Sequence, residues 1–347
     1  MKTTKSIKKK EVDSRMRSRL IFYIIMLIWP VLQNTIFYIF VNFNSFILAF
    51  QKYDYVQVPG TLEVMQQITF AGFSNFKVAW SELLVKNAYM IVNSLKFFAL
   101  DFPIQLTLAL AFSFYIYKKY PAAGAFKVCL FLPQIISGLV FCAIFKYIVA
   151  DGYMQVVTLI NYGGNHGMTV EQLLKKLAED GLYTGSLLQK TDTVFGIVAF
   201  YNIWFSFGVN ILMYSSAMSG IDESVVESAQ LDGCNVFQEF WHISVPLIYP
   251  TLVSLVIVSI AGLFTNQVSL VSLYGTGLPT ELKRKVGTLG FELYCKTSLV
   301  GNVQNANNFN EHHPGVLSAW GLIVSAVMVP VSLTARKLLV KLGPSVD

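Results

Sequence analysis

Three polar side chains recur every four residues within one apolar stretch, at Asn202, Ser206 and Asn210. On an α-helix this spacing places them on one face, and the aromatic residues Tyr201 and Trp204 lie close by. Amides and hydroxyls form hydrogen bonds with an uncharged polar ligand, and aromatic rings stack on its apolar face. The same residue types also join packed helices, so the pattern is compatible with both a ligand pathway and helix packing.

Two further apolar stretches, Val245–Leu273 and Val316–Val340, carry polar residues of the same kind, and the second stretch also contains a tryptophan. Polar groups that face hydrocarbon are costly, so these residues are expected to point into a helix bundle. Taken together, the candidate pathway residues are Tyr201, Asn202, Trp204, Ser206, Asn210, Asn266, Gln267, Trp320 and Ser325.

Asp101 lies near the middle of another apolar stretch, and Lys96 precedes it on a different side of the same helix. A carboxyl group at this depth is a functional candidate, although a structural partner on a neighbouring helix is the interpretation that we favour.

The sequence lacks the motifs of several other kinds of functional site. The sequence has no Walker-type Gly-x-x-x-x-Gly-Lys-Ser/Thr segment, so ATP binding by that route is excluded. Its four cysteines and four histidines are scattered, which predicts neither a metal site nor a disulfide framework. No catalytic set of side chains can be assembled from the sequence, and no basic-aromatic module predicts nucleic-acid binding. We therefore expect no enzyme activity, metal or cofactor in this chain.

The elements that position these residues are transmembrane helices. The chain has 347 residues, of which 54% are hydrophobic and 13% charged. Six stretches reach the roughly 20 residues that a bilayer requires, and the first is too long for a signal-peptide core. We predict an all-α polytopic membrane protein with six transmembrane helices, at Leu20–Leu48, Ala88–Tyr117, Phe126–Val149, Val194–Met218, Val245–Leu273 and Val316–Val340.

Basic residues predict the orientation. Eight Lys and Arg residues precede the first span, and others follow the second and sixth spans, which places both termini in the cytoplasm. The predicted organisation is a basic cytoplasmic tail at 1–19, a membrane domain at 20–340 and a cytoplasmic C-terminus at 341–347. Within the domain, outer loops are expected at about 49–87, 150–193 and 274–315, and a cytoplasmic loop at 219–245.

The loop at 219–245 has the local signals of two short helices joined by a glycine. Asp222 can cap the first helix, and Gly233 can adopt the left-handed turn that ends it. Asn235 and Gln238 have the spacing of a capping box that starts the second helix. Phe237, Phe240 and Trp241 are predicted to share one face of that helix. The loop has no Lys or Arg but has five carboxylates, which suits a basic receptor surface.

The residues Glu227-Ser228-Ala229, Gly233 and Ile243-Ser244-Val245-Pro246 resemble the EAA loop in permease subunits of binding-protein-dependent ATP-driven importers. Ser228 and Val245 depart mildly from the Ala and Leu of the family pattern. Asp232 and the Phe240–Ile243 run resemble the carbohydrate branch, and the basic tail with a complete first span resembles the first permease of the maltose transporter. Weaker resemblances follow in order at Asn44–Asp54, Gly72–Phe76, Asn93–Leu95, Phe131–Pro133 and Gly275–Pro279.

This resemblance implies a type I ABC importer permease fold in a bacterial inner membrane and transport of a sugar or oligosaccharide by alternating access. It implies a second, non-identical permease, a pair of ATPase subunits that bind ATP and Mg, and an extracytoplasmic substrate-binding protein as partners. The binding protein is one expected ligand of the long outer loops at 161–193 and 280–314, which could equally be solvated connections. The residues implied to couple to the ATPase are Glu227, Ala229, Asp232, Gly233, Phe237, Phe240, Trp241 and Pro246.

Three alternatives stay open on the sequence. One is a type I ABC importer for a non-carbohydrate solute. The uncharged character of the predicted pathway argues against charged solutes within this class. Another is a proton-coupled secondary transporter in which Asp101 carries the proton. A third is a membrane-embedded glycan enzyme, which would require catalytic acids that the sequence does not display.

Overall fold

The computed structural model describes residues 19–57, 64–162, 169–180, 186–299 and 314–344. The chain divides into two compact units. The first comprises residues 1–80 and 303–323, and the second comprises residues 81–302 and 324–347.

The first unit begins with the long apolar helix α1, Arg19–Ala49, which includes a π-helical segment at Thr35–Phe40. An antiparallel hairpin of β1, Gln51–Gln57, and β2, Val64–Phe70, follows, with Gln51 opposite Phe70. Helix α2, Ser74–Ser81, comes next. Asn75 ties these elements together because its side-chain amide donates to the carbonyl oxygens of Ala49, at 2.9 Å, and Gln51, at 2.8 Å.

The described residues of the second unit form helices joined by turns, with no strand among them. After a π-helical turn at Glu82–Lys86, its longer helices are α3 (Ala88–Tyr117), α4 (Ala123–Ile135), α5 (Gly138–Tyr147), α6 (Tyr153–Tyr162), α7 (Val170–Glu179), α8 (Val194–Ser219), α9 (Glu223–Leu231) and α12 (Tyr249–Ala261). Shorter pieces are α10 (Val236–Glu239), α11 (Val245–Leu247), α13 (Leu270–Tyr274), α14 (Thr280–Val286) and α15 (Leu289–Leu299), with π-helical turns at Ile148–Gly152 and Phe240–Ser244. The last helix, α16 (Pro314–Leu342), contributes residues to both units.

Five helices of the described chain are long and apolar enough to cross a membrane, and the number reaches six if a bent pair counts as one span. The bent pair is Val236–Leu247 with Tyr249–Ala261, which meet at 70°. The prediction of a continuous fifth span at Val245–Leu273 is therefore wrong. Pro246 and Pro250 lack backbone N–H groups on either side of the bend. The helix ends at Ala261, and Val268 and Ser269 adopt left-handed conformations just before the next helix begins at Leu270.

The third predicted span, Phe126–Val149, is also interrupted. Helix α4 ends at Ile135, and Ile136 is extended, with φ −73° and ψ 141°. The helix that qualifies as a span lies further along the chain, at Gly138–Val157. Hydrophobicity is continuous across this break, so periodicity by itself did not reveal it.

Helices α3 and α8 make the most extensive contact between helices of the second unit. The Ser113 hydroxyl donates to the Ile211 carbonyl oxygen at 2.9 Å, which satisfies a buried polar group across this contact. Apolar clusters form at both ends of α8: one includes Phe141, Phe145 and Tyr201, and the other includes Phe114 and Ile211. This packing fixes the faces of α3 and α8 that carry the candidate site.

Candidate functional site

The first helix of the 219–245 loop begins at a capped N-terminus, as predicted. The carboxylate of Asp222 accepts hydrogen bonds from the Ser224 backbone N–H, at 3.0 Å, and the Ser224 hydroxyl, at 2.9 Å. These bonds stabilise the charged form and lower the pKa of the Asp222 carboxyl. An ionised carboxylate also interacts favourably with the positive end of the α9 dipole, so the start of α9 is well defined.

Gly233 ends α9 in the left-handed conformation that the sequence predicted, with φ +83°. The Cys234 N–H donates to the Ala229 carbonyl at 3.0 Å, and the Gly233 N–H donates to the Gln230 carbonyl at 3.1 Å. These two bonds form a Schellman motif, which satisfies carbonyls that a helix end would otherwise leave free. The loop therefore reverses direction at a position where a side chain is strained.

The predicted capping box between Asn235 and Gln238 is confirmed. The Asn235 side-chain oxygen accepts from the Gln238 N–H, and the Gln238 side-chain oxygen accepts from the Asn235 N–H, both at 2.9 Å. This reciprocal pair starts α10, which runs into the π-helical turn. The change to π-helical geometry alters which side chains share a face.

The three aromatic residues after the capping box lie together, because the Trp241 ring contacts both Phe237 and Phe240, with centroids 6.3 and 5.1 Å apart. Phe237 and Trp241 are 72% and 50% exposed. Phe240 turns inward and packs edge-on against Phe114 of α3, with ring centroids 5.0 Å apart. Of the other predicted coupling residues, Glu227 and Asp232 are exposed, whereas Ala229 and Pro246 are half-buried.

Sequence reasoning missed the contact that holds the loop to α3. The Nζ atom of Lys118, just after α3, lies 2.9 Å from both carboxylate oxygens of Glu239. Glu239 is only 2% exposed, so this carboxylate does not face a receptor as the composition of the loop suggested. The two residues are 121 positions apart, and no local pattern could have paired them.

A cavity of about 300 Å³ lies between α3, α8, α12 and the turn that follows α12. Its lining combines one carboxyl group, several neutral polar groups and three phenylalanine rings, and it has no Lys, Arg or His. The lining residues are Ser94, Phe97, Phe98, Asp101, Phe102, Gln105, Asn202, Val258, Ser259, Gly262, Leu263, Thr265, Asn266 and Val268. Such a mixture suits an uncharged ligand that has polar and apolar faces.

Asp101 has the partner on a neighbouring helix that the sequence favoured. The Asn202 side-chain amide of α8 donates to Asp101 Oδ2 at 2.7 Å, and the two residues are 5% and 6% exposed. The Ser269 hydroxyl donates in turn to the Asn202 side-chain oxygen at 3.4 Å. Lys96 is exposed. The Asp101–Asn202 pair therefore joins α3 and α8 at the wall of the cavity.

The structure brings only part of the predicted pathway to this cavity. Asn202 and Asn266 line it. The Ser206 hydroxyl donates to the Asn202 backbone carbonyl at 2.5 Å, and Asn210 and Gln267 are half-buried without lining the cavity. Tyr201 and Trp204 pack into the aromatic cluster around Phe141 and Phe145. Trp320 is buried and Ser325 is exposed, both on α16.

The α3 face of the cavity was not predicted, although the sequence carries a signal for it. Ser94, Phe98, Asp101 and Gln105 are separated by four, three and four residues, and this spacing forms one helical face. The rings of Phe98 and Phe102 stack with centroids 5.1 Å apart. This mixed polar and aromatic stripe on α3 is of the same kind as the stripe on α8.

The family described as "Binding-protein-dependent transport system inner membrane component" matches residues 102–337 of the 347. The chain belongs to this family. The match includes the 219–245 loop and the cavity-lining residues from Phe102 onwards, whereas Ser94, Phe97, Phe98 and Asp101 precede it. The chain is therefore the permease component of a bacterial ABC importer. The chain is thus a multi-pass membrane subunit that is not itself catalytic.

Relatives and solved structures agree with this family. The arabinooligosaccharides transport system permease protein AraP of Bacillus subtilis is 25% identical over 309 residues, which cover 89% of this chain and 85% of AraP. A bacterial ABC transporter involved in the import of the acidic polysaccharide alginate has a similar fold, with TM-score 0.62, 18% identity and coverage of 94% and 97%. A second structure, the alginate transporter in complex with an alginate pentasaccharide-bound periplasmic protein, gives TM-score 0.61 at 18% identity and coverage of 93% and 94%. The type I permease fold that the EAA loop implied is confirmed.

Proposed function

We propose that this permease moves a sugar or oligosaccharide into the cytoplasm by alternating access. A separate ATPase that binds ATP and Mg would drive it through the 219–245 loop. The family membership, the carbohydrate names among its relatives and the chemistry of the cavity support this proposal. A non-carbohydrate importer has less support, because the cavity offers stacking surfaces and neutral hydrogen-bonding groups together.

One observation carries the mechanism: α3 touches both the cavity and the loop. Phe98, Asp101 and Phe102 line the cavity, while Phe114 and Lys118 hold Phe240 and Glu239 of the loop. Asp101 and Lys118 are 17 residues apart in the sequence, which is about 25 Å along a helix. A displacement of the loop would therefore reach the cavity through one continuous element.

The side chains that line the cavity can replace the hydrogen bonds that a sugar makes with water. Asn266, Thr265 and Gln105 supply amide and hydroxyl groups, which donate to and accept from sugar hydroxyls. The Phe98 and Phe102 rings provide an apolar surface of the kind on which the C–H faces of a sugar ring can lie. This set of groups suits an uncharged polyol better than an ion, because the described residues that line the space include one carboxyl group and no cation.

The exposed part of the loop is suited to the ATPase. Leu231, Phe237 and Trp241 are 89%, 72% and 50% exposed, beside the exposed carboxylates of Glu227 and Asp232. Apolar anchors surrounded by charges are typical of protein interfaces. We place this loop and both termini in the cytoplasm. A second permease and an extracytoplasmic binding protein would complete the importer.

The deciding experiment is reconstitution in proteoliposomes with the partner permease, the ATPase and the binding protein. We expect sugar uptake that requires ATP on the loop side. Trp241→Ala should reduce both uptake and co-purification of the ATPase by at least several-fold. Trp80→Ala is the control, since Trp80 is also exposed, at 56%, but lies far from the loop in sequence. ATP-independent uptake, or ATPase binding that is insensitive to Trp241, would contradict the proposal.

A further inference from the structure

One oxygen of the cavity carboxyl has no partner. Asp101 Oδ2 accepts from Asn202, but Oδ1 is buried and has no hydrogen bond among the described residues. Asp101 as a whole is 5% exposed and lines the cavity. Buried polar atoms in folded proteins are nearly all hydrogen-bonded, so an exception at a cavity wall indicates a place for a ligand atom.

The position of this carboxyl is fixed by its neighbours. The Asn202 amide holds Oδ2 from α8, and the Ser269 hydroxyl holds the Asn202 side-chain oxygen. The amide group of Asn202 therefore cannot rotate to exchange its donor and acceptor without losing both bonds. This arrangement leaves Oδ1 as the atom that is available for a further bond.

Charge at the cavity favours one class of sugar. Its fourteen lining residues include Asp101 and no Lys, Arg or His. A ligand carboxylate that entered this space would lose part of its hydration and would find no compensating cation among the described lining residues, which is costly. The fold does not impose this preference, because a similar fold serves the alginate transporter, whose substrate is an acidic polysaccharide.

We propose that Asp101 is a specificity-determining residue whose Oδ1 forms a hydrogen bond with a hydroxyl group of a neutral sugar, in a cavity that disfavours sugars that carry carboxylates because it offers them no cation. This inference rests on the proposed function and narrows its substrate class. Asn202 acts as a positioning residue, since it orients the carboxyl through Oδ2.

The test uses the complete importer in nanodiscs without the binding protein, so that the selectivity measured belongs to the membrane subunits. Binding is measured by equilibrium dialysis with labelled neutral trisaccharides (maltotriose, cellotriose and arabinotriose) and with trigalacturonate. We expect the complex to bind at least one neutral trisaccharide and to bind trigalacturonate at least tenfold more weakly. Preferential binding of trigalacturonate would overturn the inference and leave a sugar importer intact.

The matched variant is Asp101→Asn. Its amide oxygen can still accept from Asn202, while an NH₂ group replaces the free oxygen and cannot accept a hydrogen bond. We expect about tenfold weaker binding of the neutral sugar, in the range for the loss of one buried hydrogen bond, and binding of trigalacturonate that stays weak because the variant adds no cation. Ser113→Ala is the control, because it removes a buried hydrogen bond from the same pair of helices outside the cavity.

Unchanged neutral-sugar affinity in the Asp101→Asn variant would overturn the role of Oδ1. The wild-type comparison of neutral and acidic sugars decides the charge preference even if this variant does not fold. Failure of every carbohydrate to bind and to be taken up would contradict the proposed function itself, and this outcome is distinct from preferential binding of the acidic sugar.

Discussion

Asn202 connects more of the candidate site than any other described residue that the sequence singled out. Its amide nitrogen donates to Asp101, its side-chain oxygen accepts from Ser269, and its backbone carbonyl accepts from Ser206. One side chain therefore links α3, α8 and the turn after α12. Asn202 thus both lines the cavity and joins the elements that form its walls.

Replacing Asn202 should affect transport more than replacing Asn210. Asn202→Ala leaves the buried Asp101 Oδ2 without its partner, and an unsatisfied buried group costs about 1–3 kcal/mol. We expect uptake per folded molecule to fall several-fold and the melting temperature of the complex to drop. Asn210→Ala is the matched control, since Asn210 is half-buried and does not line the cavity. Equal effects of the two substitutions would show that the whole stripe, and not the cavity wall, carries the function.

Gly233 should tolerate substitution poorly for a reason of backbone conformation. No atom lies within 4 Å of a Cβ built at this position, so the strain comes from its φ of +83°. A left-handed conformation costs about 1–2 kcal/mol for an ordinary L-residue and more for a β-branched one. Gly233→Val should therefore reduce sugar-stimulated ATP hydrolysis while the protein remains folded in the membrane. Gly124→Val is the control, because Gly124 has equal space without a positive φ; a similar loss in that variant would contradict the argument.

At the scale of elements, α3 is the part that joins the two sites. Its first turns hold the segment after the fifth span: the Asn93 side chain donates to the Arg284 and Gly287 carbonyls at 3.1 and 3.2 Å. Nearby, Lys296 forms an ion pair with Glu82 at 3.0 Å. The segment at 280–299 is thus helical and packed, which decides against a simple solvated connection for that half of the predicted outer loop. Both ends of α3 are therefore anchored, and its middle lines the cavity.

Charge reversal should test whether α3 transmits motion from the loop. Lys118→Glu places two carboxylates together where Glu239 is buried, and breaking a buried pair costs roughly 3–5 kcal/mol. We expect sugar-stimulated ATP hydrolysis to fall to the basal rate while ATPase binding is retained. The double variant Lys118→Glu with Glu239→Lys restores opposite charges and should recover a large part of the coupling. A double variant that is no better than the single one would show that the pair is not the connection.

At the scale of the whole molecule, the described residues form a helical permease with added segments at the predicted outer loops. The hairpin of β1 and β2 lies in the predicted loop at 49–87, and α7 lies in the loop at 150–193. Helix α7 starts at a capping box in which the Thr169 hydroxyl accepts from the Gln172 N–H. Gln172, Lys175 and Glu179 are exposed. A capped helix with exposed polar residues is a structure that a partner protein can bind.

Deleting α7 should weaken association with the binding protein without changing the core reaction. Removal of residues 169–180 takes away one exposed helix and leaves the cavity and the 219–245 loop untouched. We expect several-fold weaker binding of the substrate-loaded binding protein, measured by surface plasmon resonance, with unchanged basal ATP hydrolysis. Gln172→Ala alone, which opens one capping bond, should give a smaller effect in the same direction. Normal association of the binding protein after the deletion would show that this segment only connects two helices.

The sequence by itself determined features whose partners lie within a few residues. The Asp222 cap, the Gly233 turn and the Asn235–Gln238 capping box were predicted correctly, because each depends on bonds between positions two to five residues apart. The apolar lengths likewise determined a polytopic helical membrane protein, since a bilayer imposes a minimum length on any span. The EAA spacing led to the right family because it is long, gapped and local.

Only the tertiary structure decided which faces meet. Asp101 and Asn202 are 101 residues apart, and Lys118 and Glu239 are 121 apart. Spacing tells which residues share a face of one helix, but the rotation of that helix against its neighbours depends on the packing of all side chains at the interface. For the same reason Tyr201 and Trp204 joined an aromatic cluster instead of the cavity, and Phe240 turned towards Phe114. The breaks in the third and fifth spans were missed because hydrophobicity continues across them, although Pro246 and Pro250 beside the fifth-span bend are visible in the sequence.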